Sequence, residues 1–139
     1  MSFVHTDWWS LDLPDDWLIE HDESTGAVSI SDPDELGCID LLVIRTDDSS
    51  DLSPNGLKLL AEAALDGAED ITGPDEGVVV GQFAGVVSRF TDDGSAWREW
   101  YLAGEDFVLV VSHNTDVEHS GLDDGIVDDI LSTLVVETQ

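Results

Sequence analysis

Lysine and cysteine each occur once in this sequence, as Lys58 and Cys38. A lone cysteine excludes a disulfide within the chain, and a structural zinc site would need histidine and carboxylate ligands instead. Cys38 has the apolar neighbours Ile39, Leu41 and Leu42, which is typical of a free cysteine buried as a small apolar side chain. Nothing indicates an oxidising compartment, so we expect a cytoplasmic protein without cofactor or metal.

Long apolar runs are missing as well. No stretch approaches the ~20 apolar residues that a membrane-spanning helix needs. Residues 1–7 lack the basic region followed by an apolar run that marks a secretory signal. No repeat or linker divides the 139 residues, and a hydrophobic fraction of 42% with five tryptophans argues against disorder. We therefore predict a single domain over residues 1–139, with no membrane span.

Basic residues are scarce, and acidic residues dominate the charge. The sequence has 32 aspartates and glutamates but only 4 lysines and arginines, which gives a net charge of -28. This charge repels phosphate and anionic lipid, so we expect neither nucleic-acid binding nor attachment to a membrane surface. The acidic residues are spread evenly, with 13 in residues 1–50, 10 in 51–100 and 9 in 101–139. Two interpretations stay open: a surface adapted to concentrated salt, or a surface that binds a basic protein.

The hydrophobic pattern predicts a β-rich chain. Residues 8–13 alternate as a half-buried strand, and residues 17–20 and 27–31 predict two short strands. Residues 38–46 and 107–113 carry apolar side chains on both faces. Both faces of these two strands must therefore be covered by other elements.

A meander and two helices complete the predicted elements. Residues 78–111 predict extended segments joined by tight turns, the first at residues 92–95, whereas the acidic glycine-rich stretch 73–77 predicts a loop. Ser53 followed by Pro54 predicts a helix start, and a second helix is expected from about Gly121 with Ser120 as its cap. The buried stripes of the two helices are Leu57, Leu60, Ala61, Ala64 and Leu65, ending at Gly67, and Val127, Ile130, Leu131 and Leu134.

These elements predict an α+β fold: a twisted antiparallel sheet with helices packed on its faces, an α/β/α sandwich. Their order resembles the PsbP-like fold, from an aromatic strand that enters residues 13–17 (Leu-Pro-Asp-Asp-Trp) to a C-terminal helix that ends at residues 134–136. That fold is shared by a photosystem II extrinsic subunit, a Ran-binding nuclear-import factor and bacterial DcrB-like proteins. Its bacterial relatives include adaptor chaperones of type VI secretion effectors. The resemblance covers nearly the whole chain and implies a binding scaffold rather than an enzyme.

Aromatic residues and an arginine cluster in residues 97–101. Alternation places Trp97 and Tyr101 on one face of a strand, and Arg98 and Trp100 on the other. Aromatic side chains beside arginine are typical of binding surfaces, but they are also ordinary cross-strand packing pairs. Our candidate binding residues are Trp97, Arg98, Trp100 and Tyr101, with packing inside the sheet as the alternative.

No set of residues specifies a metal site. Residues 47–53 alternate acidic and hydroxyl side chains as a calcium-binding loop does, but Leu52 and Lys58 stand where such a loop needs a glycine and a glutamate. We therefore predict a solvated loop there. No phosphate-binding glycine loop or nucleophile elbow is present in the sequence.

Catalysis has little support in the sequence. His113 with Asp116 and His119 could act as a general base, but no nucleophile accompanies them, so we predict no catalytic residues. We expect a non-enzymatic protein-binding domain, an adaptor or chaperone or an inhibitor of a basic partner, as a monomer or a homodimer. The alternatives are a salt-adapted acidic housekeeping domain and, less favoured, a small hydrolase-like enzyme.

Overall fold

The structure is a computed structural model. It describes residues 2–6, 8–22, 24, 26–31, 37–45, 54–65, 67–104, 107–116, 118 and 124–136. The predicted helix caps Ser53 and Ser120 lie outside the described residues.

Within the described residues the chain forms strands and two helices. In chain order the elements are β1 (Ser2–His5), β2 (Trp9–Leu13), β3 (Leu18–His21), β4 (Val28–Ser31), β5 (Gly37–Arg45), α1 (Pro54–Ala64), β6 (Glu69–Val80), β7 (Phe83–Asp92), β8 (Ser95–Ala103), β9 (Phe107–Asp116), α2 (Asp124–Leu131) and β10 (Val135–Val136).

Seven of the strands form one antiparallel sheet in the order β3-β4-β5-β9-β8-β7-β6. Strand β9 lies at its centre and pairs along its length with β5 on one side and β8 on the other. The remaining strands form a small sheet in the order β1-β2-β10. The predicted antiparallel sheet, its meander and the α+β fold class are confirmed.

One face of the large sheet, called here the core face, packs against the small sheet and α2. Strand β2 contributes Trp9, Leu11 and Leu13 to this core, each at most 2% exposed. Burying side chains of this size contributes about 1.5–3 kcal/mol each. The predicted stripe of the second helix is confirmed for Val127, Ile130 and Leu131, which are at most 3% exposed. Leu134 is also buried, at 1%, but it lies beyond the end of α2 at Leu131.

The opposite face, called here the α1 face, is covered in part. Helix α1 lies over β6, β7 and β8, where Leu57 and Ala61 pack against Val86, Tyr101 and Val108. The helix reaches the sheet through a narrow strip at positions 57 and 61, and Leu65, directly after its last residue, is buried as well. The residue at position 60 lies beside this strip and is 46% exposed, so its predicted burial was wrong.

Incomplete cover by α1 gives the two central strands different environments. Strand β9 is buried on the core face, with Val111 at 0% exposure, as predicted, whereas on the α1 face Val108 is 1% exposed but Val110 and Ser112 are partly exposed. In β5, Leu41 is fully buried on the core face, but Ile44 on the α1 face is 47% exposed. The prediction of complete burial was therefore wrong for the α1 face of β5.

Strand β6 was predicted only from residue 78 onwards, with residues 73–77 as a loop. Those residues instead lie inside β6, which pairs with β7 through repeated register shifts. Gly73 and Gly77 have positive φ, as does Asp70. An irregular, acidic edge strand lacks the apolar alternation that identifies a strand in a sequence.

The C-terminal segment was also predicted with the wrong structure. Val135 and Val136 were expected at the end of the last helix, but they form β10 and pair with Ser10 and Trp9 of β2. Strand β1 was not predicted, and it pairs with β2 on its other edge. The aromatic strand therefore belongs to a separate small sheet that covers the core face.

Candidate functional site on the open half of the sheet

The four sequence-predicted binding residues lie on two different faces of β8. Arg98 and Trp100 point to the core face and are 6% and 3% exposed. Tyr101 lies under α1 and is 9% exposed, whereas Trp97 on the same face is partly exposed. Packing therefore accounts for three of the four, and Trp97 is the one among them whose side chain stays partly exposed.

Arg98 forms a bridge between the sheet and α2. Its Nη1 lies 3.0 Å from Oδ1 of Asp128, and its guanidinium lies 4.4 Å from the centroid of the Trp100 ring. A buried guanidinium needs a carboxylate partner, because its charge is otherwise removed from water without compensation. This contact anchors α2 to β8.

A cleft of ≈ 190 Å³ lies beside this bridge on the core face. Its walls include Val78, Val80, Leu131 and the ring of Trp100, together with Asp128. The carboxylate of Asp128 is already engaged by Arg98. The cleft therefore offers mainly apolar surface, with room for one small group.

The α1 face beyond the helix carries a line of polar side chains, called here the polar row. Antiparallel pairing sets its members directly opposite one another, so they share one face. Across strands β3, β4, β5, β9, β8 and β7 these residues are Glu20, Ser29, Asp40, Ser112, Glu99 and Ser88. No lysine or arginine occupies a position in this row.

Asp40 is held at the β5 position of the polar row. Its Oδ1 accepts a hydrogen bond from the Ser29 hydroxyl at 2.6 Å and one from the Cys38 thiol at 3.7 Å. Burial, and then the charge and hydrogen bond of Asp40, raise the pKa of the Cys38 thiol to about 11. Cys38 is therefore a protonated donor to a carboxylate, and it lies half-buried on the sheet face instead of in the apolar core.

Glu99 occupies the β8 position of the polar row. Its Oε1 accepts a hydrogen bond from the Tyr101 hydroxyl at 2.7 Å, and its Oε2 accepts a longer one from Ser112 at 3.5 Å. Burial and the bond to Glu99 raise the pKa of the Tyr101 hydroxyl above its usual range. Next to Glu99, the Ser88 hydroxyl is buried and has no hydrogen-bond partner among the described residues.

Trp97 lies beside the polar row and packs against a second aromatic side chain. Its ring stacks on Phe90 of β7, with centroids 6.1 Å apart and planes 3° from parallel. On the other side of Trp97 its cross-strand partner is Asn114, which pairs in turn with Cys38. An aromatic ring, an amide and carboxylates thus border one partly exposed patch, a combination that suits cationic or peptide ligands.

The other chemically notable residues do not converge on a site. His113 is buried at 4% exposure on the core face, whereas Asp116 projects to the opposite face of the same strand. His119 and the loop at residues 47–53 lie outside the described residues. Among the residues that the structure describes, no group of three or more potential metal ligands is found.

Sequence reasoning did not identify Asp40, Glu99 and Ser112 as neighbours. They are distant in the chain and come together only through the β5-β9-β8 pairing. One signal was present: Asp40 is the one acidic residue in a strand whose interior is otherwise apolar, and an acidic residue there argues against burial of both faces.

The chain resembles known proteins in structure, but the sequence comparisons found no match. No family model matches the sequence, and no curated protein matches it. The cyanobacterial PsbP (CyanoP) of Synechocystis sp. PCC 6803 superposes with a TM-score of 0.66 at 8% identity, over 97% of this chain and 91% of that protein. LpqN, involved in cell envelope biogenesis of Mycobacterium tuberculosis, gives a TM-score of 0.57 at 16% identity, over 94% of this chain and 83% of that protein.

The third solved structure that this chain matches belongs to a longer protein. A protein of Bacteroides thetaiotaomicron gives a TM-score of 0.64 at 16% identity and covers 95% of this chain. The chain spans 46% of that protein's length. At these identities the comparisons establish the fold, and the predicted resemblance to the PsbP-like fold is confirmed.

Among the described residues, no helix combines the length and apolarity needed to cross a bilayer.

Proposed function

We propose that this chain is a non-enzymatic protein-binding domain that holds a basic segment of a partner protein on the open half of its α1 face. It would act as an adaptor or chaperone, or as an inhibitor of that partner. The observation that carries the proposal is the polar row, in which partly exposed carboxylates lie in line without a basic residue among them.

The charge of the row supports a basic partner. Asp40 and Glu99 accept hydrogen bonds only from neutral groups among the described residues, namely hydroxyls and a thiol. These hydrogen bonds leave the negative charges of both carboxylates uncompensated. A positively charged partner would compensate them, and the net charge of -28 would accelerate the encounter.

The shape of the face supports a polypeptide ligand. Beyond α1 the sheet presents a broad, partly exposed surface instead of a closed cavity, with Trp97 and Ile44 available for apolar contact. Interfaces commonly combine aromatic anchors with polar surroundings. The PsbP-like fold also occurs in proteins that differ widely in sequence, as expected of a scaffold whose surface carries the function. The cytoplasmic location expected from the single cysteine belongs to the same proposal.

A pull-down with two matched variants tests this proposal. The row variant Glu20→Gln/Asp40→Asn/Glu99→Gln removes three charges from the polar row. The control variant Asp16→Asn/Glu62→Gln/Asp129→Asn removes three exposed charges elsewhere. We expect wild type and control to recover the same basic protein from a native lysate at low salt, and the row variant to lose it.

Salt provides the second arm of this test. We expect the recovered protein to dissociate in high salt, because screening weakens exposed charge pairs. Equal recovery by the row variant and wild type would refute the assignment to this face. Recovery of no protein at either salt concentration would count against a protein-binding function as a whole.

A further inference from the structure

We propose that the sheet surface between Asp40 and Glu99 binds a single arginine side chain of the partner. This inference rests on the proposed function and specifies the chemistry that the polar row selects. The two carboxylates flank Ser112, which is the direct cross-strand partner of both.

The spacing of the carboxylates suits a guanidinium. They lie two strands apart, so their Cα atoms are separated by about 10 Å, given an interstrand spacing of about 4.8 Å. A guanidinium is planar and presents N–H donors in several fixed directions, so it can donate to both carboxylates at once. A lysine ammonium is a compact point charge and would engage one carboxylate at a time.

The carboxylates keep capacity for such a ligand. Both hydrogen bonds that Asp40 accepts within the described residues go to Oδ1, which leaves Oδ2 for an incoming donor. At Glu99, the one hydrogen bond to Oε2 from the described residues is the long 3.5 Å bond from Ser112. Charge-assisted hydrogen bonds from a guanidinium are about twice as strong as hydrogen bonds between these carboxylates and neutral donors. Replacing a neutral donor by the guanidinium would therefore give a stronger hydrogen bond than the one that is lost.

Trp97 supplies the third element of the site. It lies two residues from Glu99 on the same strand and face, about 7 Å along the strand. Phe90 stacks behind its ring and holds its orientation. A guanidinium or its aliphatic stem can pack on the indole face, which adds a preference for arginine over lysine.

Ser88 gives an independent sign that this end of the row is incomplete. Its hydroxyl is buried, with the residue 2% exposed, and it has no hydrogen-bond partner among the described residues. It is the direct cross-strand partner of Glu99. Buried polar groups in native proteins are almost always hydrogen-bonded, so the unsatisfied hydroxyl beside Glu99 indicates that this end of the row lacks a hydrogen-bonding partner.

NMR titration with two blocked peptides tests the inference. The peptides are acetylated and amidated Gly-Arg-Gly-Arg-Gly and its lysine counterpart, and the reporters are the Trp97 indole N–H and the Asn114 side-chain amide. We expect the arginine peptide to shift both signals and to bind at least about fivefold more tightly than the lysine peptide. Asp40→Asn and Glu99→Gln should each weaken it by about tenfold, because each removes a charge-assisted hydrogen bond.

Glu62→Gln is the matched control, because it removes one exposed charge from α1, outside the polar row. We expect it to change the affinity by less than about twofold, since an exposed charge that makes no contact with the ligand is largely screened. Both substitutions at the site keep an amide oxygen that accepts the bonds from Ser29 and Tyr101, so the fold is preserved. Trp97→Phe should retain most of the binding, whereas Trp97→Leu should not.

The outcomes separate this inference from the proposed function. Equal affinity for the two peptides, or an equal loss in Glu62→Gln, would overturn the arginine site and leave a general acidic surface. Binding of both peptides with no shift at Trp97 or Asn114 would also overturn the site alone. If neither peptide binds at all, both the site and the basic-partner function fail.

Discussion

Nη1 of Arg98 lies 3.0 Å from Oδ1 of Asp128, which joins a buried residue of β8 to a largely exposed residue of α2. The side chain of Asp128 is 61% exposed, while that of Arg98 is 6% exposed. The contact spans the boundary between the interior and the solvent, next to the ring of Trp100. It therefore links the position of α2 to the centre of the large sheet.

Removing the charge of Asp128 should destabilise the fold more than a similar change next to it. We expect Asp128→Asn to lower the free energy of unfolding by about 1–2 kcal/mol, because the buried guanidinium loses a charged partner, although solvent reduces the effect at this exposed position. Asp129→Asn, on the following residue, should stay within about 0.5 kcal/mol of wild type. Urea unfolding measures both, and equal losses would show that the bridge contributes nothing specific.

The turn between β6 and β7 should tolerate only glycine at position 81. Gly81 has a φ of +58, and a Cβ there would run into the backbone carbonyl of Leu134, which already accepts a hydrogen bond from the backbone of Gln82. We expect Gly81→Ala to cost roughly 2–4 kcal/mol of stability, from strain plus steric overlap.

Gly94 provides the control for backbone strain alone. Its φ is +80, but a Cβ at this position would have no neighbouring atom within 4 Å. Gly94→Ala should therefore cost only about 1 kcal/mol. Equal losses in the free energy of unfolding for the two substitutions, measured in urea, would contradict the close contact between Gly81 and the Leu134 carbonyl.

The Cys38 thiol should ionise only at alkaline pH in the folded protein. Burial and the Asp40 carboxylate raise its pKa from 9.0 to about 11. Alkylation by iodoacetamide should therefore reach half its maximal rate near pH 11 in the native protein and near pH 9 in urea. Because the folded-state pKa is the higher one, the contribution of this group to stability is complete below pH 9 and is lost as pH rises toward 11.

Asp40→Asn should shift that alkylation profile in a defined direction. Loss of the negative charge lowers the thiol pKa, but burial is the largest cause of the shift, so the midpoint should fall without reaching 9.0. Ser24→Ala, an exposed substitution outside the row, should leave the profile unchanged. A profile that is identical in Asp40→Asn and wild type would contradict the placement of the thiol beside this carboxylate.

Salt should separate the binding interpretation of the acidity from the solvent interpretation. With a net charge of -28, screening should raise the stability of the fold, but we expect a native far-ultraviolet circular dichroism spectrum at about 0.1 M salt. A chain that folds only in molar salt would favour adaptation to a saline solvent. Acidity would then require no partner to explain it.

The local hydrophobic pattern predicted the helices and strands that bury apolar side chains. The other strands form because a neighbouring strand pairs with them, and the local pattern did not predict them. The apolar residues on the core face of β9 and the helical stripe of Val127, Ile130 and Leu131 were sufficient, because burial repeats with the period of the backbone. Strand β10 and the irregular part of β6 were not predictable in the same way. Val135 and Val136 become a strand only because β2 offers a free edge to them.

The candidate site illustrates the same limit. Alternation correctly separated Trp97 and Tyr101 from Arg98 and Trp100, but it could not show which face α1 covers. The register pairs Glu99 with Ser88 and places Arg89, the next residue of β7, on the opposite face. A shift of one residue in register reverses every such assignment, and no local signal in these strands fixes it.

Carboxyl footprinting of the bound complex tests the central claim most directly. The domain, with and without the basic protein recovered in the pull-down, is labelled with a carbodiimide and glycine ethyl ester and then mapped by mass spectrometry. We predict that bound partner lowers labelling at Glu20, Asp40 and Glu99, while Glu62 and Asp129 keep the labelling of the free domain. Protection of Asp129 on α2 with unchanged labelling at Asp40 and Glu99 would contradict a binding site on the open half of the α1 face.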